Sequence, residues 1–246
     1  MEHHFLLAEI INKILGPIVV WISKIVGLKI VDEKYPIPDF LCFLLIIVLV
    51  SAILHWWSAR KYSVENPTGM QHLFETLYEG FGDIIESVIG EEGKKYLPFH
   101  FSLGMFIFLS NISGLIPGFE SPSSNINFTA GCAIIVFIYY NVIGFKKSGI
   151  KYLKHFMGPN IFLAPLMIPI EIVSHLARPF SLAVRLFANI FGEDMVILVF
   201  IGLLPFVLPM PLMFLSILTS LIQAFVFVML SMLYISDALP HEEEAH

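Results

Sequence analysis

Residues 161–204 form an apolar tract about 44 residues long, which as a helix would run about 66 Å. No loop-like stretch divides it. That is twice the roughly 30 Å hydrocarbon core of a bilayer, so the tract cannot stand upright as one span. It must tilt strongly, bend at Pro165, Pro169 or Pro179, or lie partly along the membrane plane. Yet its middle holds Arg185, within Ser181-Leu-Ala-Val-Arg-Leu-Phe-Ala-Asn-Ile190. A guanidinium keeps its proton at any workable pH, so burial cannot neutralise it. At mid-helix in a bilayer it costs at least about 2.5–3.5 kcal/mol. Such a charge needs a negative partner, or a water-filled path beside it.

The rest of the chain is equally apolar. Of its 246 residues 57% are hydrophobic and only 14% charged, with mean hydropathy +0.82. The apolar residues come in blocks rather than at amphipathic spacing, which marks an all-α polytopic membrane protein and excludes a water-soluble domain. The net charge of −6 gathers in two acidic patches, Glu86 to Glu92 and Glu242 to Glu244. It gives no support to nucleic-acid binding, which requires a basic face. Cys42 and Cys132 lie in separate apolar runs and read as small buried hydrophobes, with no disulfide, metal or cofactor framework. The start, Met1-Glu-His-His, lacks the basic region and small-residue cleavage site of a signal peptide.

Blocks and breaks give the organisation. Residues 1–35 mix Glu9, Asn12, Lys13 and Lys24 with Leu, Ile, Val and Trp, and read as an interfacial segment. Residues 36–246 form the polytopic domain. Its predicted spans are 40–57, 99–116, 128–145, 161–204 and 206–235. Between them, residues 67–97 predict an amphipathic surface helix. Its apolar face is Met70, Leu73, Phe74, Leu77, Phe81, Ile84, Ile85 and Val88, and its polar face is Gln71, Glu75, Glu79, Asp83 and Glu86. The last tract, uncharged over about 30 residues, would run about 45 Å, so the final two helices are long and tilted. Arg60-Lys61 and the Lys146 to Lys154 cluster share one side, which the positive-inside rule makes cytoplasmic. The N-terminus is then outside and the C-terminus cytoplasmic. That gives five crossings plus the surface helix.

On a helical wheel Glu171, His175, Arg178, Arg185 and Asn189 fall within roughly 80° of one another, on a helix otherwise apolar. The stripe faces protein or water rather than lipid. Glu171 lies about 21 Å from Arg185 toward the cytoplasmic end, and Glu193 about 12 Å toward the outer end. One fixed cation thus stands between two carboxylate stations, each nearer a different aqueous compartment. That suits two separate water-accessible half-paths, because a cation midway repels passing cations and keeps the paths from joining. Blander roles exist for several of these. Arg178 can snorkel or pair within its helix with Ser174 or His175. His175, Asn189 and Gln223 can each serve as helix-to-helix hydrogen-bonders. Asp194, nearly opposite Arg185 on an ideal helix, can face a loop or another helix.

The segment Glu171-Ile-Val-Ser-His-Leu-Ala-Arg-Pro-Phe-Ser-Leu-Ala-Val-Arg-Leu-Phe-Ala-Asn-Ile190, followed by Phe-Gly-Glu-Asp194, resembles the signature of ATP synthase subunit a, the membrane stator of F-type rotary ATPases. The likeness continues in Asn66-Pro-Thr-Gly69, Asn111-Ile-Ser-Gly-Leu-Ile-Pro117 and Leu221-Ile-Gln-Ala-Phe-Val-Phe-Val-Met229, covering about residues 60–240. The resemblance implies a non-catalytic subunit in the bacterial inner membrane. Its partners would be a ring of small carboxylate-bearing membrane subunits, a peripheral-stalk membrane subunit and, through the complex, the ATPase head. Arg185 matches the family's essential arginine, which would keep each arriving ring carboxylate ionised. Glu171 matches the cytoplasmic-side acid. Glu193 and Asp194 together occupy the place of the outer-side acid, and Asn189 and Gln223 match polar residues near the arginine. Two positions depart from the pattern. Ser216 stands where many members have a histidine, for which His175 is expected to compensate from the other helix, and Gly114 stands where an aspartate is common.

The expected function is therefore a stator with two offset proton half-channels. The alternative is a self-contained secondary transporter or channel with its own site at Glu171, Arg185 and Glu193. A transporter should carry facing charges on a second helix, whereas residues 206–235 carry no charge and offer uncharged polar groups such as Ser216, Thr219, Ser220 and Gln223. No His-Glu-x-x-His, Gly-x-Ser-x-Gly or phosphate loop supports a membrane enzyme.

Overall fold

The computed structural model describes residues 6–26, 36–60, 67–116, 119–149, 152, 164–203 and 209–239, and these contain helices and turns but no strand. Among the described residues seven α-helices follow in order: α1 (Leu6–Val26), α2 (Asp39–Arg60), α3 (Gly69–Ile89), α4 (Leu97–Ser113), α5 (Ile126–Ser148), α6 (Ala164–Leu203) and α7 (Pro209–Ala238). Four of them, α2, α5, α6 and α7, are long and apolar enough to cross a membrane. The chain is a multi-pass membrane protein. α4 is shorter at 17 residues, about 25 Å of helix, and it packs chiefly against α7.

The core lies where α4, α5, α6 and α7 meet, around Ile107, Val136, Tyr140, Leu182, Leu186, Phe227 and Ile235. α4 and α7 approach closely because Gly104 carries no side chain. A Cβ there would stand 3.2 Å from a methyl of Val228. Polar bonds bolt the same pair together. The amide of Asn111 donates to the Ser220 carbonyl at 3.3 Å. The wholly buried His100 carries its proton on Nδ1, facing the Tyr96 carbonyl at 2.8 Å, which leaves Nε2 to accept from the Ser231 hydroxyl at 3.2 Å. The hydroxyls of Ser110, Ser113 and Thr219 bond to carbonyls of their own helices, and that of Ser236 to the Val88 carbonyl of α3 at 2.9 Å.

The surface helix is shorter than its sequence suggests. α3 starts at the Thr68 cap, whose hydroxyl accepts from Gln71 N. It stops at Gly90, where φ is +91°, a value that glycine adopts at no steric cost. Residues 91–96 then form a 3-10 turn that leads directly into α4. The predicted helix over 67–97 therefore joins two elements across a break that the apolar Tyr96 and Leu97 conceal. Of its apolar face only the second half packs inward: Ile85 is buried, and Phe81, Ile84 and Val88 lie against Val228 and Met232 of α7. Met70, Leu73 and Leu77 are exposed. Gln71, predicted on the polar face, is buried instead, because Glu75 one turn on accepts from its amide at 2.7 Å.

The spans shift by a few residues. The second ends at Ser113 rather than 116, the third runs from Ile126 to Ser148, and the last continues to Ala238. The two ends of the predicted 161–204 tract beyond α6 lie outside the described residues. α6 keeps its course through Pro169 and Pro179 over 40 residues, about 60 Å. α1 docks on the start of α2. The Asn12 side chain is buried, accepting from Ile37 N at 2.9 Å and donating to Ile37 O at 3.0 Å.

One end of the bundle is closed by charge. Glu92, in the 3-10 turn, accepts from Lys95 at 2.8 Å and from Lys147 in the last turn of α5. Those two hydrogen bonds, Lys147 first, hold its carboxyl down to about 2 from an ordinary 4.5. Glu86 takes Lys94 in the same way at 2.8 Å. The acidic patch and the lysine cluster read separately in the sequence are thus partners at one end of the molecule.

Candidate functional site

α6 carries the polar stripe, and its two halves meet different surroundings. In the half toward the Lys147 end, His175 packs against α5. Its ring lies edge-on to Phe137 and Tyr140, with centroids 5.2 and 5.3 Å away. Nε2 is 3.0 Å from Asn141 Oδ1 and 3.3 Å from the Tyr140 hydroxyl. The Asn141 amide nitrogen is already committed to the Phe137 carbonyl at 2.7 Å. Its Oδ1 is therefore the atom facing His175, so the imidazole proton sits on Nε2. The Tyr152 hydroxyl donates to the same oxygen at 3.3 Å. The Tyr152 ring reaches it by lying over Gly144, where a Cβ would stand 2.6 Å from a ring carbon. Pro179, having no N–H, leaves the His175 carbonyl without its intrahelical donor at this point.

Arg178, one turn on from His175, leaves its own helix altogether. Its Nη1 lies 3.2 Å from Asp237 Oδ2 on α7, and its guanidinium sits 5.3 Å from the centre of the Tyr234 ring. Neither Ser174 nor His175 is its counterpart. Asp237 escapes the sequence reading because it lies just past the uncharged tract, in the last turn that α7 adds. A facing charge therefore does exist on the final helix, but it is spent on Arg178. Glu171 is half-buried on the same stripe.

Above Pro179 the stripe changes character. Leu182, Ala183, Leu186 and Ile190 turn into the core, while Arg185 and Asn189 are exposed beside them. Among the described residues Arg185 makes no ion pair and no side-chain hydrogen bond. α6 and α7 also expose apolar side chains, among them Phe180, Leu218, Leu221 and Phe225. Gln223 is half-buried on α7.

The far end, opposite Lys147, concentrates buried polar atoms that take no protein partner among the described residues. They are both carboxylate oxygens of Glu193, Oδ1 of Asn111, and the hydroxyls of Ser123 and Ser216. Buried groups of this kind are rarely left unbonded, and a roomy polar site satisfies them with ordered water. Asp194 differs from its neighbour. It lies on the side of α6 that packs against the 3-10 turn Pro122–Ser124, with Glu120 within electrostatic reach. Its Oδ1 comes within 3.4 Å of the place where a Gly114 side chain would begin. The pair read as one acid in the sequence thus splits: Glu193 turns into a polar interior and Asp194 is tied to a loop.

His175 and Ser216 lie on different parts of the bundle. His175 is held on α5 near the Asp237 end of α7, and Ser216 lies 21 residues before Asp237, about 31 Å along that helix. The residues missed by the sequence reading are Tyr140, Asn141, Tyr152 and Asp237. Asn141 left a signal, as a lone amide inside the predicted 128–145 span. Among the described residues no three His, Cys, Asp or Glu side chains converge on a metal position.

Comparisons with known proteins bear on the family. The family model described as ATP synthase A chain matches residues 40–236. ATP synthase subunit a of Geobacter sulfurreducens is 46% identical over 200 residues, covering 81% of this chain and 86% of that protein. ATP synthase subunit a 3 of Pelobacter propionicus is 39% identical over 246 residues, the full length of both. The counterpart in Syntrophobacter fumaroxidans is 51% identical over 176 residues, 71% of this chain and 74% of its own. An arginine without a partner on a long membrane helix, the matching family model and full-length similarity lead to one conclusion: the chain belongs to the ATP synthase subunit a family, the membrane stator component of that complex.

Proposed function

We propose that this chain forms two offset proton half-channels against a rotating ring of carboxylate-bearing subunits, with Arg185 as the barrier between them. The observation that carries the reading is the unpaired, exposed guanidinium of Arg185 on a membrane helix. A permanent charge at that depth needs a negative partner or a water-filled path beside it, and no described residue of this chain forms an ion pair with it. A carboxylate brought by a neighbouring subunit does so. When it arrives it stays ionised beside the guanidinium, so its proton leaves on one side and a new one is taken up on the other. The chain therefore performs no bond chemistry itself, and ATP synthesis belongs to the head of the complex.

Glu193, with both oxygens buried among other unbonded polar atoms, is the outer-side station, and Asn111, Ser123 and Ser216 line its approach with water. Asp194 fixes the neighbouring loop. Glu171 is the station of the cytoplasmic path, while Asn189 and Gln223 flank the arginine. The Lys147 end, rich in cations, is the cytoplasmic side by the positive-inside rule, and α4 serves as a fifth crossing. The remaining partners are a peripheral-stalk membrane subunit and the lipid of a bacterial inner membrane. The alternative of a self-contained transporter is less well supported, since the one charge facing α6 from α7 meets Arg178 rather than Arg185.

The test is Arg185→Ala in the whole synthase. ATP-driven acidification of inverted vesicles is expected to vanish while the subunit remains assembled, and normal pumping would sink the mechanism. Purified chain alone in liposomes should show no coupled transport.

A further inference from the structure

α6 carries two arginines on one face. Arg178 and Arg185 are seven residues apart, about 10 Å along the axis and about 20° around it. Any carboxylate that approaches this face meets both. At hydrogen-bond distance and away from bulk water, either guanidinium would attract it by many times thermal energy. Two equal stations would divide its time between them, and the one below Pro179 lies two turns from Arg185. The structure makes them unequal. Arg178 is half-buried, bridged to Asp237 at 3.2 Å and lying over the Tyr234 ring. Arg185 has neither kind of contact among the described residues.

We infer that Asp237 is a positioning residue whose bridge cancels the charge of Arg178, so that a carboxylate passing α6 is held at Arg185 alone. A bridged pair presents a dipole, whose field falls away faster with distance than that of a lone cation. Such a bridge adds little to stability when half its atoms are wet, and Asp237 is 54% exposed. Its work is electrostatic selection rather than anchorage. The inference rests on the reading of Arg185 as the residue that meets the ring carboxylate.

The experiment uses the complete synthase in inverted vesicles, with the amount of assembled subunit measured by immunoblot. Asp237→Asn leaves Arg178 as a second free cation and is expected to slow ATP-driven acidification about fivefold. Asp237→Glu keeps the bridge and should pump at the parental rate. Arg178→Gln combined with Asp237→Asn removes both charges and should return to within about twofold of the parent. A merely structural bridge would give the opposite order, with the double variant at least as impaired as the single. Parental pumping by assembled Asp237→Asn, or a double variant as slow as it, overturns the inference. If Asp237→Asn does not assemble, the double variant decides: assembled and pumping supports the inference, while idle or unassembled overturns it. If Arg185→Ala pumps normally, the underlying reading fails. If Arg185→Ala is dead and Asp237→Asn is unaffected, only the role of Asp237 fails.

Discussion

The two halves of α6 are built from similar residues and treated oppositely. Below Pro179, His175 and Arg178 are fully engaged, one with Asn141 and Tyr140 of α5 and the other with Asp237 of α7. Above it, Arg185 stands exposed and unpaired among the described residues, and half-buried Glu193 has both carboxylate oxygens shielded and neither bonded to a described residue. Polar groups that bond to neighbouring helices fix the place of a membrane helix. Polar groups left without such bonds are available to water or to a moving partner. The difference teaches that a stripe of polar residues need not have one purpose: below Pro179 His175 is held to α5 and the charge of Arg178 is met by Asp237, while above it Arg185 and Glu193 are left open to water or a moving partner.

The comparison is open to direct attack. After Arg185 itself, the largest effect is expected at Glu193. Glu193→Ala should cut ATP-driven acidification about tenfold or more with the subunit still in the membrane, because no protein group depends on its oxygens for bonding. Wild-type pumping there would erase the functional character of the upper half. Asn141→Leu and His175→Phe should behave the other way. Each leaves buried partners unsatisfied, which costs about 1–3 kcal/mol, so the thermal midpoint of the solubilised complex should fall. Pumping per assembled complex should stay near normal, and a selective loss of pumping at normal stability would move His175 into the working half.

The smallest effect concerns the clamp on Glu92. Its folded-state value of about 2 lies below the ordinary 4.5, so whatever the clamp contributes is complete above pH 4.5 and disappears as the pH falls toward 2. Glu92→Ala should therefore lower the thermal midpoint slightly at pH 6 and converge with the parent at pH 2–3. An offset that persists in acid would mean that packing, not charge, is what the variant removes.

Most of the helical plan was legible because each apolar block is long and bounded by charge or by turn residues. The stripe on α6 was legible too, since 3.6-residue periodicity places side chains on a face without reference to any neighbour. What the face meets is another matter. Asp237 lies two residues past the predicted end of its tract, and only the extra turn of α7 brings it opposite Arg178. Asn141 binds a helix 34 residues away, a pairing that local pattern does not encode. The division of labour between Glu193 and Asp194 follows from which one the 122–124 turn folds against. The overrun of α3 past Gly90 has a local cause: apolar spacing continues across a backbone reversal to which it is blind.

Gly144 has no charge, no polar atom in its side chain and no place on the stripe, yet it sets a narrow limit on how this sequence can drift. The Tyr152 ring fills the space its first side-chain carbon would need, at 2.6 Å. Even alanine would lift that ring and with it the hydroxyl that shares Asn141 Oδ1 with His175. A methyl group on α5 would thus register as a loosened histidine on α6, and a lineage that gave up this glycine would have to replace Tyr152 in the same step.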